Sequence, residues 1–462
     1  MDRRQKVIRT AFTTDRSLEF LSRKELIAQT GHEPESWPLV VLKELMDNAL
    51  DACEEAVIQP EIKVAVDGET ITVADNGPGI PRQVVKDMLD FTQRVSAREA
   101  YVAPDRGAQG NALKTIVAMP FALNREEQGR VEIAAQGIRH EIALWVDPIR
   151  QQPVINHVEH ADENAVKGTV VRVHWGTEPA VNLEESGDDL GEEPGESSCS
   201  ILQRAKFRFL QFADDFTFLN PHLALTVRWQ DEQFQVPAGA SGWNKWRPSD
   251  PAPACWYDVE RFERLIGACV AHDANAGADR TVRELVADFR GLASTAKQKA
   301  VLEECGLART KLSALTGQQG IDRAAAQRLL DAMKNHSKPV RAKSLGIIGK
   351  DFLAGKFAEI GCEMESFKYA RRDGVIDDTP WVLEMAFAWS PRLQKRRMIT
   401  GVNFSPAIEN PFRKLGAHRS LDGVLAEQRA GRDEPVVLLI HLTYPRAEFS
   451  DRGKSALVIE RS

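Results

Sequence analysis

The polar residues of the segment ELMDNALDA, residues 44–52, have types and a spacing suited to chemistry on a phosphate. If the segment is helical, Glu44, Asn48 and Asp51 stand at i, i+4 and i+7 and project from one face. An amide oxygen such as that of Asn48 can bind Mg²⁺, and a carboxylate such as that of Glu44 can take a proton from water. The spacing favours metal-assisted phosphoryl hydrolysis, although an isolated Glu-x-x-x-Asn is also typical of a solvated helix face.

A second polar group follows a predicted β-hairpin. Residues 62–73, IKVAVDGETITV, alternate around the turn dipeptide Asp67-Gly68, and the second strand leads to Asp75. A carboxylate there can accept a hydrogen bond from an exocyclic amine, while Gly77 and Gly79 allow the backbone to approach a flat ligand. The pattern indicates an adenine site, although glycine-containing pairs also occur in ordinary turns.

These groups need a helix and a sheet to hold them. An adjoining apolar face on the predicted helix, formed by Leu42, Leu45, Ala49 and Ala52, would pack against a core. The segments VEIAAQG, RHEIALWV and GTVVRVHW predict further strands of the same region.

Composition indicates a globular chain with several domains. The 462 residues are 43% hydrophobic, which is enough for two or three cores. The sequence contains no run of about eighteen apolar residues, and its first twenty residues do not have the pattern of a secretion signal. We therefore expect neither a membrane span nor secretion, and a cytoplasmic location.

Cysteine spacing and charge exclude some classes of site. The six cysteines form no CxxC pair, which argues against zinc fingers and a disulfide framework. The net charge is −7, but residues 184–196, EESGDDLGEEPGE, alone hold seven carboxylates and no basic residue. We interpret residues 184–199 as a disordered acidic loop; a regulatory or partner-binding role is the alternative. The remaining charge is nearly balanced and does not argue against DNA as a partner.

Three segments taken together carry a family resemblance. ELMDNALDA, DNGPGIP at residues 75–81 and RGAQGNALKT at residues 106–115 resemble the nucleotide-binding boxes of the gyrase, heat-shock chaperone, histidine-kinase and MutL ATPases, the GHKL superfamily. The resemblance implies an α+β protein with a Bergerat-fold α/β sandwich that binds ATP and Mg²⁺. It assigns Glu44 as general base, Asn48 as magnesium ligand and Asp75 as the adenine contact, and it places Asp51 in the surrounding polar network.

The same resemblance implies a lid whose backbone amides wrap the phosphates, beginning at residues 107–110, with Lys114 one helical turn further on. In Lys167-Gly168-Thr169 a glycine precedes a strand, as in the final nucleotide box, although a plain hairpin turn has the same pattern. The implied nucleotide contacts are Asn48, Asp51, Asp75, Gly77, Gly79, Ser96, Gly107, Ala108, Gln109, Gly110, Asn111, Ala112, Leu113, Lys114 and Thr169.

Downstream segments are similar to one branch of the superfamily, the B subunits of topoisomerase VI. QFADDFTFLNPHLALTV, residues 211–227, resembles the segment that closes the ATPase domain of that branch. Four amphipathic patterns, at residues 281–289, 296–304, 309–317 and 322–333, resemble its helix-two-turn-helix module, with a helical spacer as the alternative. The basic residues Lys338, Arg341 and Lys343 could meet phosphates, but short basic clusters are more often solvated surface.

The C-terminal region resembles the transducer domain of that branch. The segments at residues 381–389, 397–406 and 436–445 predict strands of a β-α-β domain. Residues 441–457, HLTYPRAEFSDRGKSAL, are similar to the switch segment, whose lysine, here Lys454, reaches the γ-phosphate from a second domain. Three departures stand out: Ala112 replaces a lid glycine, NFSPA replaces the usual NRVPL, and only eight residues follow Lys454. The coupling helix that normally follows is therefore expected to be short or absent.

The expected organisation is an N-terminal arm at residues 1–37, an ATPase domain at 38–235, a helical module at 236–350 and a transducer-like domain at 351–462. No Toprim-like acidic cluster or placed tyrosine nucleophile is visible in the sequence. The leading hypothesis is an ATP-gated dimerising subunit acting on DNA with a separate cleavage subunit. The competing hypothesis is a stand-alone ATP-dependent clamp or switch in DNA repair or defence. A histidine-kinase, chaperone or MutL interpretation leaves the downstream segments unexplained.

Overall fold

A computed structural model describes residues 21–89, 100–106, 112–123, 128–147, 149–150, 152–175, 200–317, 320–414, 420–450 and 456–458. Within these ranges the chain combines a large sheet, a helical region and a smaller C-terminal sheet, so the expected α+β class is confirmed. None of the helices in these ranges is both long enough and apolar enough to span a membrane.

One eight-stranded sheet dominates the N-terminal half. Its strands are β1 Glu61–Asp67, β2 Thr70–Ala74, β3 Gly129–Ala135, β4 Ile138–Asp147, β5 Gln152–Ala161, β6 Thr169–His174, β7 Ala224–Trp229 and β8 Glu232–Val236. They pair in the order β5-β4-β3-β6-β2-β1-β7-β8, and every neighbouring pair is antiparallel except β1 with β7. Strand β5 was not predicted because its inward positions include His157 and Glu159, which hide the apolar alternation.

The β1–β2 hairpin forms where the alternation predicts it, with one adjustment at the turn. Asp67 pairs directly with Thr70, so the loop residues are Gly68 and Glu69 rather than Asp67 and Gly68. Gly68 has φ +55°, a left-handed conformation that favours glycine at the first loop position. Because the side chains at 62, 64 and 66 are buried, the register fixes which face of the sheet carries the core.

Helices of the N-terminal half cover this sheet. They are α1 Arg23–Thr30, α2 Trp37–Glu55, α3 Arg82–Met88, α4 Ala112–Leu123, α5 Ile201–Arg204 and α6 Lys206–Leu219. Buried apolar residues of α2, α4 and α6 join those of the strands in one core. Arg23, at the start of α1, donates to the carbonyls of Ala122 and Leu123 at 2.9 and 2.7 Å, which caps the end of α4.

The helical region contains α7 Val259–Asn275, α8 Val282–Ala287, α9 Thr295–Cys305 and α10 Arg323–His336. Helix α8 begins with a capping box between Thr281 and Glu284. The helix predicted at residues 309–317 is wrong: a 3-10 turn at Leu312–Leu315 leads into the two-residue strands β9 Thr316–Gly317 and β10 Gly320–Ile321. Two apolar residues three apart satisfy a single 3-10 turn, and the glycines that follow disfavour a longer helix.

The C-terminal region carries a five-stranded sheet. It contains α11 Lys350–Glu359, β11 Lys368–Ile376, β12 Thr379–Trp389, β13 Arg397–Val402, β14 Ser405–Pro406, α12 Leu421–Glu427 and β15 Val436–Thr443. The strand order is β11-β12-β15-β13-β14, and β13 runs parallel to β15 with α12 between them in the chain. This is the β-α-β arrangement expected from the sequence. Edge strand β11 was not predicted because its side chains are mostly exposed and lack alternation.

Candidate functional site

The two α2 residues predicted to take part in catalysis, Glu44 and Asn48, lie on its accessible side. Asn48 is exposed and Glu44 is half-buried, and the two are one helical turn apart. Ala52 lies a further turn along the same face, where its Cβ would be 3.6 Å from a Cβ added to Gly77. The turn that follows β2 therefore packs against the α2 face that carries Glu44 and Asn48.

The residues predicted to form the adenine site contact one another through the carboxylate of Asp75. Oδ1 of Asp75 accepts hydrogen bonds from the backbone N–H groups of Gly77 at 2.8 Å and Thr169 at 3.2 Å. The N–H of Asp75 in turn donates to the carbonyl of Thr169 at 2.9 Å. Burial raises the pKa of Asp75, and these hydrogen bonds oppose the rise. The structure thus brings Asp75, Gly77 and Thr169 together from two segments more than ninety residues apart.

Gly168 is the residue that allows this approach. Its φ is +74°, and a Cβ added to it would lie 1.9 Å from the carbonyl oxygen of Asp75. Its N–H donates to the carbonyl of Gly77 at 3.0 Å. Gly79, with φ +83°, faces the carbonyl of Gly168 across the same contact. No side chain fits between the two segments, so glycine at position 168 is a steric requirement.

Several predicted contacts lie outside the described residues, namely Ser96, Gly107, Ala108, Gln109, Gly110, Asn111 and Lys454. Ala112 begins α4 and Leu113 is its second residue. Lys114 also lies in α4, and its side chain is buried at 4% exposure. The acidic loop at 184–199 is likewise outside the described ranges. The roles given to these residues stay predictions.

Toward its C-terminal end, α2 contributes Asp51 and Glu54 to a buried charged cluster centred on Arg106. The guanidinium donates to Asp51 at 2.6 Å and to both oxygens of Glu54 at 2.7 and 2.6 Å. It also donates to the side-chain oxygen of Asn220 at 2.6 Å. The role of Asp51 in the polar network around the nucleotide stays a prediction; in the structure its contacts include the guanidinium of Arg106.

Two further groups complete this cluster. Lys245 Nζ lies 2.5 Å from Glu54, and His222 Nε2 lies 3.1 Å from it. Asn220 donates to the carbonyls of Phe216 and Phe404, each at 2.9 Å. The segment at residues 211–227 therefore reaches Glu54 through His222, Arg106 through Asn220, and the C-terminal region through the carbonyl of Phe404.

Charge balance explains how such a cluster can be buried. Burial opposes ionisation of both Arg106 and Glu54, yet their mutual attraction raises the pKa of Arg106 and holds the pKa of Glu54 well below its usual range. Burial and the nearby guanidinium lower the pKa of Lys245, and burial lowers that of His222. Two carboxylates thus face two cations, and each buried charge has a partner.

A separate set of hydrogen bonds joins α2 to the C-terminal sheet. Lys43 donates to Asp47 at 2.6 Å and to the hydroxyl of Ser405 at 2.7 Å, and that hydroxyl donates to Asp47 at 2.7 Å. Burial alone would lower the pKa of Lys43, but the carboxylates of Asp47 and Glu44 raise it. Ser405 begins β14, so the helix that carries Glu44 is bonded directly to the second sheet.

The hairpin between β13 and β14 also contacts the residues that precede the predicted lid. Asn403 and Phe404 form its two-residue loop, with φ of +52° and +67°. Asn403 donates to the carbonyl of Asp105 at 3.1 Å and accepts from the N–H of Tyr444 at 2.9 Å. One asparagine therefore joins the residue before Arg106 to the end of β15, in the NFSPA segment noted in the sequence.

Sequence patterns did not identify Arg106, Glu54, Asp47 and Ser405. A weak signal existed for Arg106, which is the first residue of RGAQGNALKT, and for Glu54, which follows Asp47 by two helical turns. Neither signal names a partner. Acidic residues on a helix and a basic residue beside glycines occur equally on solvated surfaces.

Known proteins resemble this chain over most of its length. A family profile described as histidine kinase-, DNA gyrase B-, and HSP90-like ATPase matches residues 35–175. The B subunit of type 2 DNA topoisomerase 6 from Archaeoglobus fulgidus is 41% identical over 439 residues, covering 91% of this chain and 66% of the relative. The protein of the same name from Methanosarcina mazei is 35% identical over 460 residues, covering 95% and 68%. That of Metallosphaera sedula is 24% identical over 475 residues, covering 96% and 80%.

Proposed function

We propose that this chain, which belongs to the family of type 2 DNA topoisomerase 6 B subunits, binds and hydrolyses ATP to control a dimer that acts on DNA with a separate cleavage subunit. The proposal that the chain binds ATP rests on the packing of the Gly77 turn against Ala52. Ala52 lies eight positions after Glu44 in the helix, a rise of about 12 Å. A nucleotide lying along this face would place its base beside Asp75 and its phosphates beside Glu44 and Asn48.

The donor set on α2 suits a hard cation. Asn48 is accessible and presents an amide oxygen, and the carboxylate of Glu44 lies one turn before it on the same face. Oxygen donors of this kind are those that Mg²⁺ prefers, together with phosphate oxygens. When bound, Mg²⁺ would neutralise phosphate charge. Asn48 would hold the ion, and Glu44 would accept the proton of the attacking water.

Recognition of the base is assigned to Asp75. The hydrogen bonds from Gly77 and Thr169 fix its carboxylate at the end of β2. A fixed acceptor at this place would bind an exocyclic amine of adenine and would reject a base that presents an oxygen there.

Closure around the phosphates is assigned to the lid at residues 107–113, to Lys114 and to Lys454. A lysine contributed by the C-terminal region would make the position of that region depend on the γ-phosphate. The bonds from Asn403 to Asp105 and from Ser405 to Asp47 support this assignment, because they already join the C-terminal region to the residues before the lid and to the helix that carries Glu44.

Hydrolysis tests the central assignment. Glu44→Gln should lower the ATPase rate by about 10²- to 10⁴-fold, because it removes the group that accepts the proton of water. ATP binding should persist in Glu44→Gln and weaken in Asn48→Ala. Turnover is measured by phosphate release, and binding by displacement of a fluorescent ATP analogue.

Glu55→Gln is the matched control, since Glu55 ends the same helix and its carboxylate accepts from the N–H of Ser249 at 3.0 Å. It should hydrolyse ATP at the wild-type rate. Turnover by Glu44→Gln at that same rate would remove the general-base role.

The partners named in the proposal need a separate measurement. Glu44→Gln protein, loaded with Mg-ATP, serves as bait for proteins that co-purify from its native cell. A cleavage subunit with a Toprim domain is the expected prey, and recovery of the chain alone would contradict a two-subunit enzyme. Deletion of residues 1–20, part of the proposed arm, should weaken the ATP-dependent dimer, with the mass in solution as the readout.

A further inference from the structure

A cluster of two histidines and a glutamate lies on β4 and β5, at the edge of the large sheet opposite β8. His140 on β4 is directly paired with Glu159 on β5, and His157 is two residues before Glu159 on the same face. His140 Nδ1 lies 2.9 Å from His157 Nε2 and 3.7 Å from Oε1 of Glu159. One ligand atom from each residue falls within 4.8 Å of the other two.

We propose that His140, His157 and Glu159 bind one Zn²⁺ ion. Zinc bonds to imidazole nitrogen and carboxylate oxygen are about 2.0–2.2 Å long, so two ligands of a tetrahedral ion stand about 3.4 Å apart. The distances of 2.9 and 3.7 Å lie on either side of that separation. Three protein ligands leave a fourth position for water.

The two imidazoles are prepared for a metal. Their rings are stacked with centroids 5.1 Å apart, and His140 is 1% exposed. Burial lowers the pKa of both rings, which favours the neutral form that binds a metal. One of the two facing nitrogens now donates to the other. On metal binding that hydrogen would move to the other nitrogen of its ring, and both facing nitrogens would become ligands.

Two basic side chains lie beside the carboxylate of Glu159, where the proposed metal ion would bind. Arg82, the first residue of α3, donates to both oxygens of Glu159, and Lys86 Nζ lies 3.5 Å from Oε1. The hydrogen bonds from Arg82 lower the pKa of Glu159 to about 2, so the carboxylate is ionised and ready to bind. Arg82 is more than half exposed and can swing into solvent when Zn²⁺ takes the carboxylate.

Arg82 and Zn²⁺ would compete for the carboxylate of Glu159, so removal of Arg82 distinguishes a zinc site from a structural histidine pair. A purely structural histidine pair would not respond to the loss of Arg82 by gaining metal affinity. A zinc site would respond in that way, because Arg82→Ala frees the carboxylate and removes a positive charge beside the ion. Arg82 is the first residue of α3, so occupation of the site would break the side-chain bonds that tie the start of α3 to β5.

The experiment uses the full chain without a histidine tag, stripped with chelator and kept free of nucleotide. Zinc retained after dialysis is counted by mass spectrometry, and Co²⁺ is added as a spectroscopic probe of tetrahedral coordination. We expect one zinc per chain and visible Co²⁺ bands in the wild type. His157→Ala and Glu159→Gln should bind at least about 10-fold to 100-fold more weakly, whereas Arg82→Ala should bind more tightly.

His160→Ala is the matched control, because His160 lies on the same strand but pairs with Glu141 on the opposite face. It should bind zinc as the wild type does. His157 is preferred to His140 for substitution because it is less buried, and unfolding by circular dichroism confirms that each variant is folded. No zinc in the wild type, equal affinity in His157→Ala, or no gain in Arg82→Ala would each overturn the proposal.

Discussion

The two sides of α2 hold similar residue types in opposite environments. On the accessible side, Glu44 and Asn48 stand half-buried and exposed. Asp51, which shares that face at i+7 from Glu44, and Glu54 on the neighbouring side are almost completely buried and are paired with Arg106. An acidic residue on this helix can therefore serve chemistry or architecture according to what faces it. Variants on the accessible side should change nucleotide binding or turnover, and variants on the buried side should change stability.

The largest effect is expected at the centre of the buried side. Arg106→Ala leaves Asp51 and Glu54 as buried carboxylates without the guanidinium, which should cost about 3–5 kcal/mol of unfolding free energy. Chemical denaturation measures this loss. The control Arg228→Ala breaks an exposed pair with Asp67 and should cost about 0–1 kcal/mol. Equal losses in the two variants would remove the distinction between the buried and surface pairs.

A second test concerns the contact between Gly168 and the turn that follows β2. Gly168→Ala forces a Cβ against the carbonyl of Asp75 at 1.9 Å, whereas Gly137→Ala meets no atom within 4 Å. Both glycines have positive φ, so each substitution carries a backbone cost of about 1–2 kcal/mol. The clash should add about 1–3 kcal/mol at Gly168 alone and should weaken ATP binding. Equal stability and equal ATP affinity in the two variants would contradict the steric requirement.

The bond between α2 and β14 should give a smaller loss. Ser405→Ala removes one partner each from Lys43 and Asp47, and we expect a cost of about 2 kcal/mol. ATP binding should remain, because Ser405 lies on the buried side. Ser313→Ala, which removes an exposed bond to Asp279, is the control and should change stability little. Loss of ATP affinity in Ser405→Ala without loss of stability would place Ser405 on the nucleotide side instead.

The smallest expected effect is a pH dependence that involves the buried side. Burial lowers the pKa of His441, whose Nε2 accepts from the N–H of Phe404 at 3.0 Å; Glu384 faces its other nitrogen, and Lys245 and Arg106 add repulsion. A base with a lowered folded pKa binds fewer protons folded than unfolded, so stability is full above about pH 6.5 and falls below it.

Between pH 7.5 and 5.5 this histidine should contribute a loss of about 1.4 kcal/mol at most. His441→Gln keeps an acceptor for Phe404 and should reduce the loss by that amount. Denaturation of both proteins at the two pH values measures the difference, and identical pH dependence would exclude the histidine as its source.

Local patterns in the sequence were enough to predict the local parts of this protein. The helix of residues 44–52, the β1–β2 hairpin and the three C-terminal strands all depend on neighbours a few residues away, and a periodic pattern records those neighbours. The resemblance to nucleotide-binding boxes is local for the same reason, since the glycines and carboxylates that carry it lie within short segments; the roles of those residues stay predictions. Patterns failed where a strand lacked apolar alternation, as in β5 and β11, and where a 3-10 turn had the spacing of a helix.

Which distant groups meet is set by the tertiary fold alone. Arg106, Glu54, Asn220 and Ser405 are ordinary polar residues in the sequence, and the fold joins three of them through one guanidinium and bonds the fourth to Asp47. The physical reason is that the pairing of buried charges depends on segments brought together from across the chain. A local sequence pattern does not predict which distant segments come together. Burial makes the electrostatic interaction within each pair stronger than the same residues would have in water.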